Sequence, residues 1–282
     1  MPTPTIHHVR RLRTVALALA LVSLAAACSS AEPQASSPSG TSSASASDGS
    51  LEAVEQAGVI VIGTEGTYRP FSFHEDGTGD LTGYDVEVAR AVADRLGVEV
   101  RFEETQWDAI FAGLDAGRFD AIANQVSITP ERDAAYAFSR PYTYSPGVIV
   151  VAADDTSISS FADLSGKKTA QSLTSNWYSL AQQSGATIEP VEGWAQAVAL
   201  VAQGRVAATV NDELTFLDYK TTFGATNLKV AATTDDVSRN AFAFRRGSTT
   251  LVAAVDTALA TLTDDGTLER ISRKYFSEDV SK

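Results

Sequence analysis

The sequence predicts an α/β protein built as two related lobes, each a β-sheet flanked by helices. Two observations carry that expectation. From Leu51 onward, apolar runs of strand length alternate with segments of helical period. In addition, WDAIFAGLDAGRFDAIANQ (Trp107 to Gln125) aligns without a gap to WAQAVALVAQGRVAATVND (Trp194 to Asp212), 87 positions further on. Identities fall at Trp107/Trp194, Ala112/Ala199, Gly117/Gly204, Arg118/Arg205, Ala121/Ala208 and Asn124/Asn211, so a helix, a Gly-Arg turn and a strand recur. Alanine-rich composition is the competing explanation for so short a match.

The chain opens on a segment of different character. Residues 1–27 carry Arg10, Arg11 and Arg13, no acid, and an apolar run from Val15 to Ala27, the layout of a signal peptide. That run is shorter than the about 20 residues a membrane-spanning helix needs. It ends at LAAAC, which resembles a bacterial lipobox, with Ala25 where leucine is usual, and makes Cys28 the expected site of cleavage and acylation. A secreted protein with an incidental cysteine is the alternative. Residues 28–50 form a Ser/Ala/Pro/Gly tract with too little apolar surface to order itself, and read as a tether.

Charge and residue counts then exclude whole chemistries. The net charge is −13 and grows more negative by three once residues 1–27 are removed, so nucleic acid is not an expected partner. Past the leader, His74 and Cys28 are the only residues of their types, too few for a Cys/His metal site or a disulfide. No metal and no cofactor are expected. His74 lies where an alternating strand enters a Gly-rich turn, a poor place for a triad histidine. GTGDLTG has its third glycine one residue too late for a dinucleotide loop, and no G-K-[ST] follows a suitable spacing.

In the body, Val59 to Gly63 reads as a buried strand and FSFH to LTGY as a hairpin. Asp85 reads as the cap of a helix whose Val86, Ala89, Ala93 and Leu96 share a face, closed by Gly97. EVRFE is the next strand, and Trp107, Ile110, Phe111 and Leu114 mark one face of a second helix. Near the C-terminus, Leu251, Val255, Leu259 and Leu262 form one stripe of core. If the repeat is structural, both strand ends open on one crevice, as ligand sites do in open α/β sheets. One end delivers Asn124, Gln125, Ser127 and Arg132; the other delivers Asn211, Asp212 and Glu213. A cationic lip facing an acidic lip suits a zwitterion, with its carboxylate on Arg132 and its ammonium on Asp212.

Each of these residues has a plainer reading. Arg132 in TPER fits the first turn of a helix capped by Thr129, and Asp212 fits a cap for ELTFLDY. Tyr68, Phe71 and Trp107 fit core aromatics. Thr174 and Ser175, just before a helix, are either capping residues or part of an anion site on its free N–H groups.

Taken in order, VIVIGTEGTYRPF, LTGYDVEVARAVADRLGVEV, WDAIFAGLDAGRFDAIANQVSITPER, FSRPYTYSPGVIVV, DLSGKKTAQSLTSNW, GRVAATVNDELTFLDY and DGTLERISRKYF resemble the polar amino-acid family of solute-binding proteins that feed ABC importers. The resemblance implies a type II periplasmic-binding-protein-like fold, with lobe one at 51–146 plus 239–282, lobe two at 147–238 and two crossover strands as hinge. By position it implies that Arg132 binds the ligand carboxylate, helped by Ser127, Thr174 and Ser175, and that Asp212 binds its ammonium. It puts Tyr68, Phe71 and Trp107 around the ligand side chain, with Glu65 lining that pocket. SLTS stands where many relatives have a glycine before the threonine pair.

NQVSITPER, AQSLTSNW and NDELTFLDY look most like the cystine- and cysteine-binding branch, with Asn124 and Gln125 as hydrogen-bonding groups for a long polar ligand. The expected protein is a monomeric, lipid-anchored binding protein on the extracytoplasmic face of the cell membrane, partnered by an ABC permease and not an enzyme. The alternatives are a binding protein for glutamine or histidine, or an enzyme on the same fold such as a cyclohexadienyl dehydratase. The leader makes a separate prediction: Cys28→Ser should leave the protein unprocessed or release it to the medium, because stable anchoring rests on acyl chains worth about 0.8 kcal/mol per buried methylene. Unchanged processing and membrane fractionation of that variant would remove the anchor.

Overall fold

The computed structural model describes residues 48–224 and 227–282. The leader, Cys28 and nearly all of the expected tether lie outside the described residues. The tether's last residues belong to the folded body. Ser50 begins helix α1 (Ser50–Ala57), and Asp48 accepts from the N–H of Ser50 and of Thr250.

The first half runs α1, β1 (Val59–Thr64), a small three-stranded sheet of β2 (Thr67–Tyr68), β3 (Ser72–His74) and β4 (Leu81–Thr82), then α2 (Tyr84–Leu96), β5 (Glu99–Glu104), α3 (Trp107–Asp115) and β6 (Ala121–Ser127). A short helix α4 (Pro130–Ala135), β7 (Tyr136–Phe138) and the long β8 (Thr143–Ala152) lead into the second half. There β9 (Lys168–Gln171), α5 (Asn176–Gln183), β10 (Thr187–Pro190), α6 (Trp194–Ala202), β11 (Ala208–Asp212) and α7 (Glu213–Phe223) follow. The 18-residue β12 (Leu228–Arg245) returns the chain to α8 (Thr249–Asp264) and α9 (Thr267–Phe276).

The nine-stranded sheet has the order β10-β9-β11-β8-β12-β6-β1-β5, with β7 on β12. Each half is a run of parallel strands, β5-β1-β6 and β10-β9-β11, joined by the antiparallel pair β8 and β12 at the centre. β12 pairs with β6 through residues 240–244 and with β8 through residues 228–240, with register shifts at 230/232 and 233/237. One strand thereby serves both lobes.

The repeated segments occupy equivalent places. Trp107 opens α3 and Asn124 lies on β6; Trp194 opens α6 and Asn211 lies on β11. Composition alone gives no reason for that equivalence, and two related lobes do.

Side chains alternate across each strand, so every half has two cores. On β8, Val148 and Val150 pack with Trp194, Val198 and Val201 of α6, while Ile149 and Val151 pack with Trp177 and Ala181 of α5. In the first half, Ile60, Ile62, Phe242 and Phe244 meet α2 and the stripe Leu251, Val255, Leu259 and Leu262 of α8. The opposite face holds α3 through Ile110, Leu114 and Phe119. The Phe119 ring fills the space that two glycines leave: a Cβ on Gly63 would lie 2.5 Å from it and one on Gly113 2.7 Å. Gly113 therefore sits inside a helix despite its low propensity, because close packing requires it there.

One expectation needs correction. Asp85 does not cap α2; Gly83 holds that position and Asp85 lies in the first turn, fully buried. Its carboxylate is drawn inward by the hydroxyl of Tyr142, 3.0 Å away, and by the backbone N–H of Gln125, partners remote in sequence.

Candidate functional site

The carboxyl ends of β1, β6, β9 and β11 open on one cavity between the halves, the position where open α/β sheets hold ligands. Its lining mixes aromatic faces with amide, hydroxyl and carboxyl groups, the composition of a small-molecule site. From the first half, Glu65, Tyr68, Trp107, Asn124 and Gln125 line it; from the second, Gln171, Ser175, Asn176, Trp177, Trp194 and Asn211 do so. Arg132, Thr174, Ser175 and Asn176 line a second, adjoining cavity.

Arg132 is largely withdrawn from water by its position behind α3. Its guanidinium carbon lies 5.1 Å from the centre of the Trp107 ring and 5.3 Å from that of Phe111. Nη1 donates to the carbonyl of Ser127 (3.0 Å) and Nη2 to the carbonyl of Thr174 (3.3 Å). Desolvation lowers its pKa to about 10, which leaves it protonated at neutral pH. Among the described residues it forms no salt bridge with a carboxylate. A desolvated cation held only by carbonyls is short of a counter-anion, and a guanidinium takes a carboxylate through two parallel hydrogen bonds. Ser175 caps α5 and accepts from Tyr178 N at 3.0 Å, leaving the N–H groups of the first turn, beginning at Asn176, without helical partners beside this cation.

The opposite charge is equally concentrated. Asp212 caps α7, its Oδ1 accepting from Leu214 N (2.9 Å) and Ser145 Oγ (2.6 Å), and its Oδ2 from Gln125 Nε2 (3.4 Å). Asn124 Nδ2 donates to Glu65 Oε2 at 2.6 Å, while Asn124 Oδ1 accepts from Glu65 N (2.9 Å) and Thr64 Oγ1 (3.0 Å). With Asp85 on Gln125 N, the Asn124-Gln125 dipeptide touches three carboxylates. Burial pushes Glu65 and Asp85 each up to about 7 and Asp212 up to about 6, against the hydrogen bonds that favour their charged forms. Gln125 itself has φ +50°, a left-handed conformation uncommon for a residue with a side chain.

Among the described residues, three buried polar atoms on the cavity wall have no partner: Trp107 Nε1, Gln125 Oε1 and Gln171 Nε2. Buried polar groups are normally paired, so each marks a place for a ligand atom. Two are donors and one an acceptor.

The structure brings Glu65, Tyr68, Trp107, Asn124, Gln125 and Ser175 to the main cavity, with Arg132 and Thr174 on its neighbour. Phe71 does not join them. It is fully buried in the core, its ring centre 5.1 Å from that of Tyr68 and 6.0 Å from that of Phe276. Ser127 gives its hydroxyl to Asn240 Oδ1 (2.8 Å) and offers Arg132 only its carbonyl. Asp212 stands one residue behind the wall, reached through Gln125. Sequence reasoning missed Gln171, Asn176, Trp177 and Trp194. The repeat held the signal for Trp194, whose counterpart Trp107 had been chosen.

The halves also touch directly. Tyr68 OH donates to Asn211 Oδ1 (2.9 Å) and accepts from Thr215 Oγ1 (3.1 Å), and Arg69 Nε meets Asp218 Oδ2 at 3.4 Å.

A two-lobed fold with charged and polar groups converging between the lobes defines a solute-binding protein of type II. Residues 60–278 match the family model, and the chain belongs to the bacterial extracellular solute-binding proteins, family 3. It is 51% identical over 238 residues to the L-cystine-binding protein TcyA of Bacillus subtilis (strain 168), covering 84% of this chain and 88% of that one. The L-cystine solute receptor of Neisseria gonorrhoeae, in an unliganded open conformation, is 46% identical over 83% of this chain and 98% of its own, with a TM-score of 0.56. An ancestral arginine-binding protein bound to arginine is 32% identical, over 78% and 98%, with a TM-score of 0.72. In shape the chain thus lies nearer the ligand-bound protein than the open receptor that it matches better in sequence.

The raised carboxyl pKa values set the pH dependence of the ligand-free protein. Glu65, Asp85 and Asp212 hold protons up to about pH 6 to 7 when folded, whereas their ordinary values are 4.5 and 3.8. The folded state then binds more protons between those limits, so this contribution to stability is full below about pH 4 and is lost as pH rises through 7. The thermal midpoint should therefore fall between pH 5 and 7.5, and Glu65→Gln should flatten the fall. A midpoint that rises over this range would contradict the assignment.

Proposed function

We propose that this protein captures L-cystine, or its half cysteine, outside the cytoplasmic membrane and delivers it to an ABC importer. The observation that carries the reading is the desolvated Arg132, without a carboxylate partner among the described residues, beside a cavity whose lining holds the carboxyl of Glu65 and, behind Gln125, that of Asp212. That is the charge pattern of an α-amino acid with both ends withdrawn from water. The choice of cystine follows the relatives named above, and the unpartnered Trp107, Gln125 and Gln171 suit a ligand with a second polar head. In this reading Arg132, held by the carbonyl of Ser127, serves the carboxylate with Ser175 and Asn176, Asp212 and Gln125 serve the ammonium, and Tyr68, Trp107, Asn124 and Glu65 the remainder of the ligand.

Lobe one comprises 51–146 plus 239–282 and lobe two 147–238, and the protein acts as a monomer anchored by lipid on Cys28. It performs no covalent chemistry. Binding is a population shift, since a ligand touching both lobes stabilises the closed arrangement alone. A second reading, another polar amino acid such as glutamine or histidine, draws on Glu65, a single buried acid that a shorter polar side chain would also satisfy.

Calorimetric titration under non-reducing conditions with cystine, cysteine, glutamine, histidine, arginine and glutamate separates these readings. Cystine should bind at micromolar concentration or tighter. Arg132→Ala and Asp212→Ala should each weaken it at least thirtyfold, given the roughly 2–5 kcal/mol lost when one member of a buried charge pair is removed. Tight binding of another ligand with no heat from cystine or cysteine would overturn the choice of ligand, and no heat from any would overturn the amino-acid site.

A further inference from the structure

Thr174 was expected to help hold the ligand carboxylate, yet its polar groups are engaged otherwise. Its N–H and its hydroxyl both donate to Asp108 Oδ1, at 3.0 and 2.7 Å, and its carbonyl accepts from Arg132 Nη2 at 3.3 Å. All three polar groups of this residue therefore cross the cleft to the first half. Asp108 is held in the first turn of α3, where the helix dipole favours its negative charge. It follows Trp107, whose ring lies against Arg132, so Trp107, Asp108, Thr174 and Arg132 close a ring of contacts at the cleft mouth.

The turn that presents Thr174 is itself stapled. Ser175 N and Ser175 Oγ both bond to the carbonyl of Ser172, at 3.1 and 2.8 Å. These bonds tie it to the second half. Ser175 and Asn176 line both cavities, whereas Thr174 lines only the outer one. The ligand and the cross-cleft contact thus use different residues of one turn.

We propose that Asp108 is a positioning residue for closure: its carboxylate latches onto Thr174 when the lobes meet, and Thr174 serves this latch rather than the ligand. The inference rests on the reading of the cleft as one that closes around a solute, and not on the solute's identity. Two charge-assisted hydrogen bonds to one carboxylate oxygen are made only in the closed arrangement, so they raise its population and hence the apparent affinity. The site is solvent-exposed at its edge, with Leu173 next to it 49% exposed. The latch is accordingly weak enough to release.

Maleimide-linked spin labels at Asp94→Cys on α2 and Gln203→Cys beside α6, in the full chain carrying Cys28→Ser, report the separation of the halves by pulsed dipolar spectroscopy. Without ligand, Asp108→Ala should move the distances to longer values, and L-cystine affinity should fall about 5- to 20-fold. Thr174→Val should act in the same direction, and the double variant should be no worse than Asp108→Ala alone. Asp108→Asn, which keeps an acceptor oxygen, should fall between wild type and Asp108→Ala and guards against a folding defect. Unchanged ligand-free distances in Asp108→Ala overturn the latch. So does tighter cystine binding by that variant, for Asp108 would then be competing with the ligand for Thr174. If wild type gives no heat with cystine while Asp108→Ala still opens the cleft, the latch stands and the choice of ligand falls.

Discussion

The cleft is organised by ionisable groups taken out of water on both sides without a counter-ion beside them among the described residues. Arg132, wedged against Trp107 and Phe111, has only carbonyl partners, while Glu65, Asp85 and Asp212 are bound to one another's neighbours through Asn124 and Gln125. An isolated buried charge is expensive, and the protein reduces that expense by shifting protonation and by hydrogen bonding. A zwitterion supplies both missing counter-charges at once. The electrostatic cost of the cleft and its fit to an amino acid are in this sense one property.

The Asn124-Gln125 dipeptide is where the two demands meet. It lies within β6 where the pairing with β12 shifts register between Ala241 and Ala243, and Gln125 adopts a left-handed conformation that lets its backbone N–H face Asp85 while its side chain faces Asp212. Such strain persists where the surroundings determine it, and here the determinant is a buried carboxylate on either side. Asp212 lies on the far half of the sheet, so a movement of the lobes must disturb the Gln125 contact. The dipeptide thereby links site occupancy to hinge geometry.

Much of this was legible in the sequence because it rests on local pattern. Alternation gave the strands, three- and four-residue spacing gave the stripe on α8, and the recurrence of the strand bearing Asn124 in the strand bearing Asn211 put both strand ends at one cleft. What was not legible depends on long-range partners. Asp85 reads as a cap in any local window and is instead a buried acceptor for Gln125 and Tyr142, forty or more residues away. Phe71 shares an aromatic motif with Tyr68, but it packs into the core with Tyr84 and Phe276, partners remote in sequence, while Tyr68 lines the cavity. Gln171 closes an unremarkable four-residue strand, and its importance appears only as an unpaired amide on the cavity wall.

The position of a bound ligand's carboxylate tests the role of Arg132 most directly. A crystal structure of the protein with L-cystine should show one carboxylate of the ligand within hydrogen-bonding distance of the Arg132 guanidinium, with the adjacent ammonium on Gln125 Oε1 or a neighbouring carboxylate. A ligand seated in the cavity while Arg132 keeps only the carbonyls of Ser127 and Thr174 would contradict it.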